Sequence, residues 1–211
     1  MFPMDQSKST TSTPILKFRD GIAVREFHED DVSDSVQCLN EPEVRTFLRN
    51  RIPSPYTESD FKWWIDRCAD QTNWIPTGPF EPDPQDSTIH RLPSHYAIVK
   101  DDRLIGAIGL EMKSDVYCRT GELGYWIARP QWGKGIMGSV APAFVKWAFA
   151  TFGILYRIEA EIFSGNDASR AVLKKSGMKF EGRHEGSIWK NGQILDGDFW
   201  GIVRTEKDDA Q

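Results

Sequence analysis

Between residues 131 and 138 the chain reads Gln131-Trp132-Gly133-Lys134-Gly135-Ile136-Met137-Gly138. Glycine accepts positive φ and lets the backbone approach a ligand closely, so successive N–H groups here, leading into a helix N-terminus, could wrap a phosphate. The charge pattern agrees with that chemistry. From Leu123 to Arg157 there are four cations (Arg129, Lys134, Lys146, Arg157) and no carboxylate, within a chain whose net charge is −5. The plainer reading is an ordinary turn flanked by solvated cations. Gly133, Gly135 and Gly138 also satisfy GxGxxG, with Glu159 about 20 residues on, which formally admits a nucleotide-dependent oxidoreductase. The setting disagrees, because Ala128 to Trp132 separate the first glycine from the end of the preceding strand and too little chain follows for two βαβ halves. There is no GxxxxGK[ST] and hence no P-loop. His28, His90, His95 and His184 show neither HExxH nor compact ligand spacing, so no metal is expected. Cys118 has no histidine beside it in sequence, which makes a covalent acyl-cysteine the lesser route.

The elements that must position these residues are legible in the hydrophobic spacing. Ile22, Val24 and Phe27 suggest a first strand, and the acidic run Glu29 to Asp31 opens a helix reaching about Asn40. Phe61, Trp64, Ile65 and Cys68 fall at helical spacing within 58–68. Pro76 to Ser94 is rich in Pro and Asp and reads as a long loop without regular structure. The stretches HYAIVK, RLIGAIGLEM and GELGYWIA follow as three strands on short turns, which should pair antiparallel. Val140, Phe144, Trp147, Ala148 and Phe152 share one helical face, although Pro142 predicts a kink or a late start. Residues 157–162 alternate as a strand does. Asp167 to Ser176 forms a short helix stopped by Gly177. Asn191-Gly192 between two apolar runs marks a closing hairpin. The fold class is therefore α/β (α+β), with a mixed, mostly antiparallel sheet of six to seven strands and about four helices. Residues 15–205 are expected to form one domain between a tail over 1–14 and another over 206–211.

Composition narrows the function. With 211 residues and about 150 per domain, a single domain with appended segments is favoured. With 26 Lys and Arg against 31 Asp and Glu, the chain lacks the basic excess of a dedicated nucleic-acid binder. There is no run of 18 apolar residues and no apolar or arginine-rich leader, so a soluble, cytoplasmic protein that engages no membrane is expected. Cys38, Cys68 and Cys118 are odd in number and widely spaced, which fits reduced thiols.

Three stretches taken in order carry a resemblance to the GNAT superfamily of acetyl-CoA-dependent N-acetyltransferases, in its RimJ/RimL-like branch (the Acetyltransf_3 type). They are GELGYWIA followed by WGKGI, then LYRIEAEI, and then Asn166-Asp167-Ala168-Ser169 leading to KKSGM and Glu181-Gly182. The resemblance spans roughly Ile22 to Val203. It implies a GNAT fold in which the strand from Glu122 and the one around 156–162 splay apart, leaving main-chain groups of Trp126 and Ile127 to pair with pantetheine. It implies that acetyl-CoA is the cosubstrate, with its diphosphate on the amides of Gly133, Lys134, Gly135, Ile136 and Met137, Trp132 also contacting the cofactor, and its distal arm near Asn166 and Ser169. The chain departs from the family pattern at Trp132, where Gln or Arg is usual, and at Met137, where a small residue is usual.

An uncharged amine attacking a thioester needs a proton acceptor, an oxyanion donor and positioning. On the family pattern Glu122 is the candidate base, directly or through water; its structural alternative is a surface or cross-strand ion pair. A tyrosine that often protonates the departing thiolate is replaced by Leu173, so the acid is Ser169 or water. Asn166 doubles as a helix N-cap candidate, and Tyr125 reads as core. Trp63 and Trp64, the 76–94 loop and the Asn191 hairpin are where the family builds acceptor walls, although core packing is the usual role of such tryptophans. An α-amine, with a pKa of about 7.7 to 8.0, deprotonates more readily than a lysine at about 10.4, which suits an N-terminal or similar amine. The partner expected is a peptide N-terminus, a polyamine or another small amine. A monomer or homodimer is expected. The competing reading within the same fold is a catalytically idle acyl-CoA-binding module.

Overall fold

A computed structural model describes residues 13–80 and 87–205. The expected tails over 1–14 and 206–211 lie almost wholly outside those residues, as does the centre of the 76–94 loop. The strands are β1 (Leu16–Lys17), β2 (Ile22–Arg25), β3 (Ile75–Pro76), β4 (Arg91–Leu92), β5 (His95–Lys100), β6 (Arg103–Met112), β7 (Thr120–Ile127), β8 (Arg157–Phe163), β9 (Lys179–Lys190) and β10 (Gln193–Val203). The helices are α1 (Val32–Leu39), α2 (Pro42–Arg45), α3 (Glu58–Ala69), α4 (Met137–Thr151) and α5 (Asp167–Lys175).

Eight strands form one sheet in the order β1-β2-β5-β6-β7-β8-β10-β9, antiparallel throughout except between β7 and β8. The strand beyond the seven legible in the sequence is β1, two residues long and too short to show alternation. Turn chemistry sets the register. Asp101 and Asp102 both take positive φ between β5 and β6, and Asn191 and Gly192 do so between β9 and β10, the backbone that suits the twist of a two-residue hairpin.

Alternation assigns the two faces of the sheet. Tyr96, Ile98, Ile108, Leu110 and Leu123 point to one side, where they pack on Phe144 and Ala148 of α4 and Leu173 of α5. On the other side Leu39, Val44, Tyr56 and Phe61, from the α1 to α3 region, pack with Trp126. A buried bidentate pair ties that helical layer to the sheet: Arg25 of β2 donates to both Asp31 oxygens, at 2.8 and 2.9 Å.

Two expectations need correction. The 76–94 segment is not wholly irregular, because β3 and β4 pair at its ends and Gly78 docks beside α4. There Gly153 N donates to Gly78 O at 2.7 Å, and Gly78 N donates to Thr151 O at 3.1 Å. Backbone pairing with a distant helix end outweighs local Pro and Asp content. Nor does α4 start late: it begins at Met137 and runs through Pro142, a single lost N–H bond being small beside its fully buried face.

Candidate active site

Parallel strands β7 and β8 pair at Thr120 with Arg157, Gly121 with Ile158 and Glu122 with Glu159, and no further. Both strands continue for several residues, so a wedge opens between them after Glu122. Ala128 N donates to Ile105 O on the opposite side at 2.7 Å. Main-chain direction alternates along a strand, so Trp126, in register with Ala107, turns its N–H and C=O toward β6. Tyr125 and Ile127 are the residues whose main chain faces the wedge. This moves the sequence expectation by one residue. The Ile127 carbonyl also accepts from Trp132 Nε1 at 2.8 Å.

The glycine-rich segment sits where β7 gives way to α4. Gly133 and Gly135 have φ of 73° and 74°, conformations a side chain would strain. Among the described residues, the N–H groups of Gly133, Lys134, Gly135, Ile136, Met137 and Gly138 donate to no protein acceptor, whereas Trp132 N donates to Arg129 O at 3.0 Å. The open run therefore starts at Gly133. It ends on the free first-turn amides of α4, where the helix dipole adds positive potential. A Cβ built at Gly133 or Gly135 meets nothing within 4 Å, so the run faces open space.

Asn166 caps α5, its Oδ1 accepting from Ser169 N at 3.1 Å. Its Nδ2 remains without a protein partner among the described residues, and Asn166 also lines the large cavity described below. The capping and ligand-facing roles are thus compatible. Leu173 is fully buried in the core. Tyr125 reaches across from β7 until its hydroxyl lies 3.4 Å from the Ser169 carbonyl. Burial pushes its phenol up to about 12, which keeps it protonated at neutral pH.

On the opposite face of the sheet a cavity of about 540 Å³ lies between the central strands and the α1 to α3 layer. Aromatic residues wall it, among them Phe27, Phe61, Trp63, Trp64 and Trp126. Trp63 is 64% exposed, so it is not a core residue, while Trp64 meets His95 edge-on at 5.0 Å between centroids. Burial, aided by the Arg51 and Arg67 cations, pushes His95 down to about 4.

Cross-strand register places Glu111, Glu122 and Glu159 in one row on this face, with Glu161 two residues farther along β8. Their cations come from elsewhere. Arg49 pairs with Glu122 and with Glu161, the latter at 2.9 Å; Arg67 pairs with Glu111 at 2.8 Å. Lys113 and Arg157 hold Glu159. Glu122 thus does form the ion pair raised as its structural alternative, and it does so at the point where the strands part. Sequence reasoning missed Arg49, Arg51, Glu111 and Glu161. For the glutamates, polar positions alternating with apolar ones on β6 and β8 were the available signal. For the arginines there was none, because they sit in an aperiodic strap between α2 and α3. Lys190 secures that strap, donating to Leu48 O at 2.6 Å and Asn50 Oδ1 at 2.9 Å.

Residues 22–179 match the family model described as an acetyltransferase (GNAT) domain. The uncharacterized N-acetyltransferase YoaA of Bacillus subtilis (strain 168) is 34% identical over 101 residues, 48% of this chain and 56% of its own, so the match spans little more than half of that relative. Two solved structures share the fold. One is the ribosomal-protein-S5-alanine acetyltransferase from Vibrio fischeri, at TM-score 0.70 and 17% identity, covering 90% of this chain and 97% of its own. The other is the spermidine N-acetyltransferase from Vibrio cholerae in complex with CoA and spermine, at TM-score 0.66 and 16% identity, covering 87% and 95%. Among the described residues, no helix is long and apolar enough to cross a membrane.

Proposed function

The chain belongs to the GNAT acetyltransferase family, and from that premise we propose that it is an acetyl-CoA-dependent N-acetyltransferase that carries acetyl to a primary amine. The observation that carries the reading is the run of six unpartnered main-chain N–H groups from Gly133 to Gly138 at the start of α4, beside the parted strands. Such a run suits a diphosphate, with Lys134 at its rim. The wedge-facing groups of Tyr125 and Ile127 would pair with pantetheine amides, and Asn166 and Ser169 would flank the distal arm.

In the reaction, the amine nitrogen forms a bond to the thioester carbonyl carbon, a proton leaves nitrogen, and the carbon–sulfur bond breaks to release a thiolate. Glu122 takes the proton, directly or through water, while Arg49 fixes its carboxylate. Ser169 or water returns a proton to sulfur. The Tyr125 hydroxyl, close to Ser169 and protonated at neutral pH, is a third donor. The named relatives acetylate an alanine of a ribosomal protein and spermidine, so the acceptor panel should include peptide N-termini and polyamines. Leu173, buried where relatives place a tyrosine, favours the idle acyl-CoA-binding module as the second reading.

Release of free CoA thiol from acetyl-CoA over that panel separates the two. Thiol release that depends on an added amine is expected. Tight acetyl-CoA binding with no release for any amine would leave the module, and binding of NADPH in place of acetyl-CoA would restore the oxidoreductase.

A further inference from the structure

The acceptor cavity carries two charge centres of opposite sign on neighbouring strands. In the first, Glu122 and Glu161 share one cation among the described residues, Arg49, which leaves a net negative charge where β7 and β8 part. In the second, Glu111 faces two arginines: Arg67 holds it at 2.8 Å and Arg51 lies 3.9 Å from its other oxygen. His95 Nε2 lies 3.9 Å from the same carboxylate and adds no charge at neutral pH, so this centre is net positive. Asp60, which also lines the cavity, is occupied by the N–H of Thr57 at 2.8 Å. Glu111 and Glu122 are register partners on adjacent strands, so the two centres lie side by side on one face of the sheet.

Arg51 is the unspent member. Its guanidinium makes no hydrogen bond among the described residues, its side chain is 59% exposed, and it lines the cavity mouth. A planar fork of five donors without an acceptor is suited to a carboxylate, which it can grip through two parallel bonds.

Resting on the acetyltransferase reading above, we propose that the acceptor is a primary amine bearing a carboxylate a few bonds away, its ammonium drawn to Glu122 and Glu161 and its carboxylate received by Arg51. A free amino acid and a peptide beginning with Asp or Glu both have this chemistry. The aromatic walls take the remainder of the molecule. A polyamine is disfavoured, since its second cation would meet Arg51.

Initial rates with acetyl-CoA test this on matched pairs: L-alanine against L-alaninamide, and an Asp-initiated peptide against its Asn-initiated twin, with spermidine as the cationic control. The acid of at least one pair should exceed its amide by about 10-fold or more in kcat/KM, and which pair does so tells the free amino acid from the peptide. In Arg51→Gln, KM for that acid should rise about 10- to 100-fold while the amide is unaffected. Equal use of acid and amide in both pairs, preference for spermidine, or an equal loss for acid and amide in Arg51→Gln would overturn the proposal. Ligand-observed NMR of the same pairs without acetyl-CoA separates the two levels of the argument. Arg51-dependent preference for acids in a protein that does not bind acetyl-CoA would sink the transferase reading alone. Amine acetylation without preference for acids would sink only the inference about the acceptor.

Discussion

Glu122 and Arg49 show how one residue can satisfy two demands. The carboxylate is anchored by a guanidinium, yet it stands where the sheet opens toward the proposed thioester position. Glu122→Gln keeps the shape and leaves Arg49 paired with Glu161. It should lower kcat about 100-fold, the usual scale of general base catalysis, with acetyl-CoA affinity unchanged by calorimetry. Full activity throughout the neutral range would remove Glu122 as base. His95 makes a different prediction. Because its folded pKa is pushed from 6.5 to about 4, the unfolded chain takes up a proton between those values that the folded chain does not. Stability present above pH 6.5 is therefore lost as pH falls toward 4, by about 3 kcal/mol in full. Thermal melts of His95→Gln should fall less steeply over that window than those of the parent protein; parallel slopes would contradict the account. At this scale the glycine-rich segment stands out by its own composition, whereas Glu122 and Asn166 were singled out by the family resemblance. Arg49 and Arg51 were not, since their partners lie more than fifty residues away and no period announces them.

At the scale of elements, hydrophobic periodicity located α1, α3, α4, α5 and the long strands to within a few residues, because each buries one face against a single core. It did not locate β3 and β4. Their pairing depends on Gly78 meeting the end of α4, a contact that leaves no local pattern. Gly153 is the critical residue there, because a Cβ on it would lie 2.0 Å from Gly78 O. Gly153→Ala should force the two backbones apart and cost about 1 to 3 kcal/mol, the range for a lost buried hydrogen bond with strain. Hydrogen exchange should show faster exchange at Thr77 and Gly78 with the β5 to β7 amides still protected; unchanged exchange there would mean the docking contributes nothing. The wedge between β7 and β8 was legible only through resemblance to a family. Both strands read as continuous, and nothing in their alternation says where pairing stops.

For the molecule as a whole, the proposed function divides its two substrates by charge. A chain of net charge −5 sets its open amide run and Lys134 at the start of α4, while the carboxylate row lies on the other face of the sheet, where Arg157 is drawn to Glu159. On the proposed function a polyanionic donor and an ammonium acceptor would be drawn to opposite sides of one wedge. Donor binding should stabilise the fold by about 2.7 kcal/mol at 100 times Kd, raising Tm by about 5 to 10 °C. The sharpest test is titration calorimetry of acetyl-CoA into the parent protein and Gly135→Asp. An added side chain at Gly135 meets no protein atom within 4 Å, and aspartate is among the residues most tolerant of positive φ, so the variant should fold while placing a negative charge where the diphosphate would lie. One bound acetyl-CoA per chain, weakened about 100-fold or more in Gly135→Asp, is the predicted result. Equal affinity in the two proteins would contradict the account.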